Sequence, residues 1–179
     1  MSLRQGILRG ARFVPSPNAD ERPAGAVVSL VVLHAISLPP GRFGGDAVER
    51  LFTNRLQADA HPYYRGIAGL RVSSHFFVRR GGGLVQFVPV QLRAWHAGVS
   101  KWRSRGRCND FSIGVELEGT DRTAFTAAQY AVLGNLIKLL RREWPLRDVA
   151  AHSDVAPGRK SDPGAGFDWH RILAALARR

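Results

Sequence analysis

The chain has 179 residues, 45% of them hydrophobic, enough for one domain with an ordinary buried core. Its single cysteine, Cys108, excludes an internal disulfide and fits a reducing compartment. The net charge of +12 would draw any polyanion, but the arginines are dispersed apart from the run 103–107 and no stacking-aromatic pattern of an RNA module is present, so nucleic-acid binding is not expected.

Residues 1–26 are polar, with Pro15, Pro17 and Pro23, and read as an arm on a single domain spanning 1–179. Met1 to Gly6 lacks the apolar run of a signal peptide, and no stretch is long enough to span a bilayer. The expectation is a soluble, cytoplasmic protein that acts as a monomer and has no membrane partner. Val27 to Leu33 is a nearly unbroken apolar run, suited to a strand buried on both faces. His34 stands at its end, either as a capped core histidine or as a group entering a site beside the sheet.

After a Pro/Gly loop, Asp46 followed by Glu49 marks a helix start. Val48, Leu51, Phe52 and Leu56 then predict an amphipathic helix over 46–57. Residues 75–78 and 84–88 flank three glycines, a hairpin signal. A long loop opens at Trp95 and runs through Lys101, Trp102 and the arginine run to Asn109. It is either a ligand wall or a solvated charged stretch.

Ser112 to Glu118 alternates cleanly. Ile113, Val115 and Leu117 face one way; Gly114, Glu116 and Glu118 face the other. A carboxylate in mid-strand is costly to bury unless paired or functional, which singles out Glu116. Gly114 is expected to leave space beside it, and Glu118, at the strand end, to be solvated.

Phe125 to Tyr130 carries a capping box (Thr126, Gln129) and a hydrophobic staple, and the apolar stripe Leu133, Leu136, Ile137, Leu140 continues towards Trp144. Val149 to Ala151 is a short strand into His152. The segment from Ala150 to Gly164 has two prolines and two glycines, which favour a fixed, turn-rich loop. Asp168 caps a last helix with Ile172, Leu173 and Leu176 inward and Arg178 and Arg179 at its negative end. The resulting order gives an α/β (α+β) fold: one central mixed sheet flanked by helices.

Three features converge: His34 and His152 at strand ends, and Asp162 in the following loop. Two imidazoles and a carboxylate form a zinc set that leaves a position for water. Glu116 would then be the separate base, and Lys160 a stabiliser of the oxyanion.

Five separated segments carry a resemblance: 31–41, 71–75, 93–100, 108–119 and 152–164. Together they resemble the cytoplasmic AmpD-type 1,6-anhydro-N-acetylmuramyl-L-alanine amidases, a group related to peptidoglycan-recognition proteins. The resemblance implies one Zn²⁺ on His34, His152 and Asp162, with Glu116 as base and Lys160 as transition-state stabiliser. It implies hydrolysis of the amide between anhydro-muramic acid and L-alanine in muropeptide recycling. It also implies docking of stem-peptide carboxylates by arginines, carried here onto Arg71 and Arg107, with Trp95 in the substrate wall. Ala35 departs from the family, which has Asn after the first zinc histidine. The alternative is a non-catalytic module that binds peptidoglycan fragments.

Overall fold

The computed structural model describes residues 2–177, with side-chain surroundings as far as residue 173. The N-terminal segment contains four short strands. β1 (Ser2–Arg4) and β2 (Ile7–Arg9) form a hairpin, β3 (Arg12–Phe13) joins the edge of the main sheet, and β4 (Ala19–Asp20) pairs with a strand from the middle of the chain. Arg22 then turns inward. Its guanidinium donates to the carbonyls of Asn109, Val90 and Ser112 at 2.9–3.1 Å. Burial lowers its pKa to about 10, which leaves it charged at neutral pH.

The first long strand is β5 (Leu30–Ile36), set three residues later than the apolar run predicts. The carbonyl of Ser29 is taken by the amides of Arg147 and Asp148, and the parallel ladders start at Leu30. His34 therefore lies inside the strand, two residues before its end. α1 covers only Ala47–Phe52, not 46–57. Asp46 makes no side-chain cap and pairs with Arg50 instead, while Glu49 is drawn away by Arg12 and Arg79.

The predicted hairpin forms as β6 (Phe76–Val78) and β7 (Leu84–Gln86). β8 (Arg93–Ala94) is the partner of β4. The expected long loop holds a small hairpin of β9 (Lys101–Trp102) and β10 (Arg105–Gly106), then a 3₁₀ turn over Cys108–Phe111. β11 (Ser112–Glu118) follows as the alternation predicts. α2 (Ala127–Glu143) starts with the predicted capping box, and β12 (Asp148–Ala151) leads into the one-turn helix α3 (His152–Val155), where the sequence suggests loop. α4 (Trp169–Ala177) ends the described chain.

The six-stranded sheet has the order β12-β5-β11-β6-β7-β3. Its first four strands are parallel, and β7 runs against β6. The parallel strands β12, β5 and β11 lie side by side, so their carboxyl ends share one edge, where open α/β sheets place their ligands.

Alternation along the strands divides the molecule. Val31, Leu33, Ile113, Val115 and Leu117 face α2, whose Leu133, Leu136, Ile137 and Leu140 are fully buried among them. Each such side chain contributes about 1.5–3 kcal/mol by leaving water. Phe125 and Tyr130 both pack on the ring of Phe167. Ile172 is buried as expected, but Leu173 is 59% exposed, since it falls on the outer side of α4. The side chains of Leu176, Arg178 and Arg179 lie outside the described residues. On the other face, Leu30, Val32, Phe111 and Val155 form a smaller cluster beneath the polar groups described next.

Candidate active site

His34, inside β5, and Glu116, from β11, are register partners on adjacent strands. His152 follows β12, which pairs with the other side of β5, and Asp162 returns to it from the loop beyond α3. The amide of Ser153 donates to the Asp162 carbonyl at 3.0 Å and so ties that loop to the helix. Rigid elements thus deliver all four side chains to one edge of the sheet.

The contacts between three of them are close. His34 Nδ1 lies 2.9 Å from His152 Nδ1 and 3.4 Å from Asp162 Oδ2, and His152 Nδ1 lies 3.1 Å from the same oxygen. A tetrahedral zinc site with bonds of about 2.0–2.2 Å separates its ligand atoms by roughly 3.3–3.5 Å, so this triangle is close to the size that such an ion needs. Among the described residues, His34, His152 and Asp162 form the group whose ligand atoms come within reach of a shared metal ion. Two imidazole nitrogens and one carboxylate oxygen also suit zinc by type.

Burial lowers the His34 pKa to about 4, so its ring is neutral at pH 7, as a metal ligand must be. Glu116 behaves in the opposite way. Burial, then the charge of Asp162, push its carboxyl well above the usual range, and Lys160 pulls weakly the other way. Among the described residues its Oε2 finds no hydrogen-bond partner. A buried oxygen without a partner costs about 1–3 kcal/mol, a cost the fold bears at the wall of the cavity.

That cavity has a volume of about 450 Å³ and is lined by His34, Glu116, His152, Lys160, Asp162 and Trp95, among others. Its far wall is apolar, with Leu38, Leu51, Ile67 and Leu70 beside the half-exposed Tyr63. A peptide or glycan fragment fits its size and mixed lining.

The sequence, compared with known families, matches a family model described as N-acetylmuramoyl-L-alanine amidase over residues 24–165. The chain belongs to that family. The amidase is 51% identical to the 1,6-anhydro-N-acetylmuramyl-L-alanine amidase AmpD of Escherichia coli (strain K12), covering 99% of this chain and 98% of that one. A crystal structure of a selenomethionine AmpD derivative matches with a TM-score of 0.95 at 51% identity, covering 98% of this chain and 99% of that one. A complex of the E. coli amidase AmiD with anhydro-N-acetylmuramic acid-L-Ala-D-γ-Glu-L-Lys matches with a TM-score of 0.61 at 28% identity, over 87% of this chain and 60% of that one.

Of the residues singled out from the sequence of the amidase, His34, Glu116, His152, Lys160, Asp162 and Trp95 meet at the cavity. The Trp95 indole is held by Asp20 of the N-terminal segment, its Nε1 donating at 3.1 Å. Arg71 and Arg107 stand outside the lining. Arg71 sits between the lining residues Leu70 and Val72 with its guanidinium on the carbonyl of Gly69, and Arg107 is exposed and pairs with Asp110 at 3.1 Å.

Two neighbours of Glu116 differ from expectation. Glu118 is 4% exposed rather than solvated: its carboxylate accepts from the amides of Gly44 at 2.6 Å and Arg80 at 3.0 Å and lies 3.6 Å from Arg79. Gly114 makes room for a different group from the one expected. A Cβ there would fall 2.5–2.8 Å from ring atoms of His96, so the space it leaves belongs to that imidazole. His96 and Arg159 also line the cavity, among several lining residues that were assigned no role from the sequence. Arg159 donates to the carbonyls of Ala97 and Val99 and so joins the loop after β8 to the loop that carries Asp162. For His96 a signal was available, since an alternating strand with one missing side chain announces that something large sits opposite.

Proposed function

We propose that this amidase hydrolyses the amide between the lactyl group of 1,6-anhydro-N-acetylmuramic acid and L-alanine in muropeptides, using one Zn²⁺ held by His34, His152 and Asp162. The observation that carries the reading is the triangle of two Nδ1 atoms and one carboxylate oxygen beside an unpartnered buried carboxylate. The names of the AmpD relatives and the ligand bound to AmiD support the substrate class. When bound, the zinc ion makes water more acidic and polarises the scissile carbonyl.

The chain's own residues do the rest. Glu116, whose raised pKa suits a group that must accept and return a proton, takes the proton of the attacking water and delivers it to the departing amine of L-alanine. The carbon–nitrogen bond breaks, leaving a lactyl carboxylate and a free amino group. Lys160 offers its ammonium to the oxyanion that forms as water adds, a contact worth about 3–4 kcal/mol in comparable sites. Trp95 walls the substrate groove. Arg71, between two lining residues, and Arg107 take the stem-peptide carboxylates, since an arginine fork meets a carboxylate with two hydrogen bonds.

The proposal places this reaction in the cytoplasm, on free muropeptides in peptidoglycan recycling, carried out by a monomer. Among the described residues no helix is long and apolar enough to cross a membrane, and Cys108 is buried as a free thiol. The binding-module alternative calls for a lost ligand, yet His34, His152 and Asp162 are all in the chain.

Mass spectrometry of an anhydro-muropeptide incubated with the zinc-loaded chain tests the reading. Free anhydro-N-acetylmuramic acid and an intact stem peptide beginning with L-alanine are expected. Cleavage within the peptide, or binding without products, would contradict it.

A further inference from the structure

We propose that His96 is a positioning residue for the metal centre: by accepting the Nε2 proton of His34, it fixes the tautomer that leaves His34 Nδ1 free to bind the ion. This rests on the zinc reading above. The argument follows the protons along a buried chain of contacts. The Ser112 hydroxyl has one proton and gives it to the carbonyl of Cys108, at 2.6 Å. Towards His96 Nε2, at 3.2 Å, Ser112 Oγ can then only accept, so His96 carries its proton on Nε2. His96 Nδ1 is left with a lone pair, 2.9 Å from His34 Nε2, which must be the donor. A neutral imidazole has a single N–H, and in His34 it is committed to His96. The lone pair of His34 therefore sits on Nδ1, the atom that faces His152 and Asp162.

The surroundings are built to hold this chain. Gly114 supplies the space, since a Cβ would collide with the His96 ring. The side-chain oxygen of Asn109 accepts from the backbone amides of both His96 and Ala97, at 3.3 and 2.8 Å. The next carbonyl, Ala97 O, lies 3.4 Å from His152 Nε2 and also receives Arg159 at 2.6 Å. One dipeptide thus meets the outward nitrogen of both imidazoles and turns both Nδ1 atoms towards Asp162. Groups that orient a metal-bound imidazole in this way change metal affinity by about 10–100-fold when removed.

The test begins with the metal-free wild-type chain, labelled with ¹⁵N, in which long-range ¹H–¹⁵N spectra show which nitrogen of His34 carries the proton. Nε2 is expected; a proton on Nδ1 would overturn the inference whether or not any variant folds. Zinc affinity by chelator competition is the second readout. His96→Leu should bind zinc about 10–100-fold more weakly, whereas His96→Asn, which keeps an acceptor where the ring Nδ1 stood, should retain most of the affinity. Wild-type affinity in His96→Leu, or equal loss in both variants, would overturn the role assigned to His96. A wild-type chain that binds no zinc would instead overturn the metal reading, and the His34 tautomer in the metal-free chain separates the two failures.

Discussion

Glu116→Gln separates catalysis from stability at one atom. The side chain keeps its shape, but it can no longer ionise. Loss of a general base lowers the rate by about 10²–10⁴-fold, and KM should change much less because proton transfer acts in the transition state. The folded protein should not suffer. In the wild type the carboxylate is buried, repelled by Asp162 and unpartnered at Oε2, a burden of about 1–3 kcal/mol. An amide removes the charge, so the metal-free variant should melt higher, by about 2–4 °C per kcal/mol regained in a chain of this size. The pH dependence has a definite sign. A carboxyl whose folded pKa is raised favours folding below its unfolded pKa and loses that advantage as pH rises through the folded value. The gap in melting temperature between variant and wild type should therefore widen from about pH 4, the unfolded carboxylate range, upward. The assays are initial rates on an anhydro-muropeptide and calorimetry of the metal-free chains from acid to neutral pH. Normal turnover, or a variant several degrees less stable than wild type at pH 7, would refute the reasoning.

Glu118→Ala should be far from silent. It strips two backbone amides and Arg79 of a charged acceptor in a buried place, at about 1.5–3 kcal/mol per charged hydrogen bond. Denaturant melts should show a loss of that order, and KM should rise because the loop held through Gly44 leads to the cavity residues Leu38 and Pro40; an unchanged melt would remove Glu118 from that role. Arg71→Ala and Arg107→Ala should each raise KM for substrates carrying diaminopimelate. Both should leave a substrate trimmed to muramoyl-L-alanine nearly unaffected, and equal losses on both substrates would count against carboxylate docking.

The parts of the site that were legible in the sequence are those set by local pattern. Alternation from Ser112 to Glu118 put Ile113, Val115 and Leu117 in the core and turned Glu116 away from it, because strand geometry alone dictates the faces. The turn-rich segment after Ala151 carried His152, Lys160 and Asp162 together because its prolines and glycines fix a short path. The readings that went astray depended on distant chain. Glu118 looked like a solvated strand end, since nothing near it in sequence shows that the amides of Gly44 and Arg80 arrive there. Gly114 was read as room for its neighbour Glu116, but the group that needs the room, His96, is 18 residues away in the chain and reaches it only through the fold. The helix does start after Asp46, but the expected capping box is missing for the same reason: Arg12 and Arg79 compete for Glu49 and win by charge. The shift of β5 was set by its neighbours: the ladders with β11 and β12 both start at Leu30, and the one with β11 carries the strand past His34 to Ile36.

The central claim is that His34, His152 and Asp162 hold one zinc ion. Zinc per chain, measured by elemental analysis after dialysis against trace metal, tests it most directly on the wild type, His152→Ala and the exposed-site variant His170→Ala. One zinc in the wild type and in His170→Ala, with none retained by His152→Ala, is the predicted result. A His152→Ala chain that keeps its full complement of zinc would contradict it.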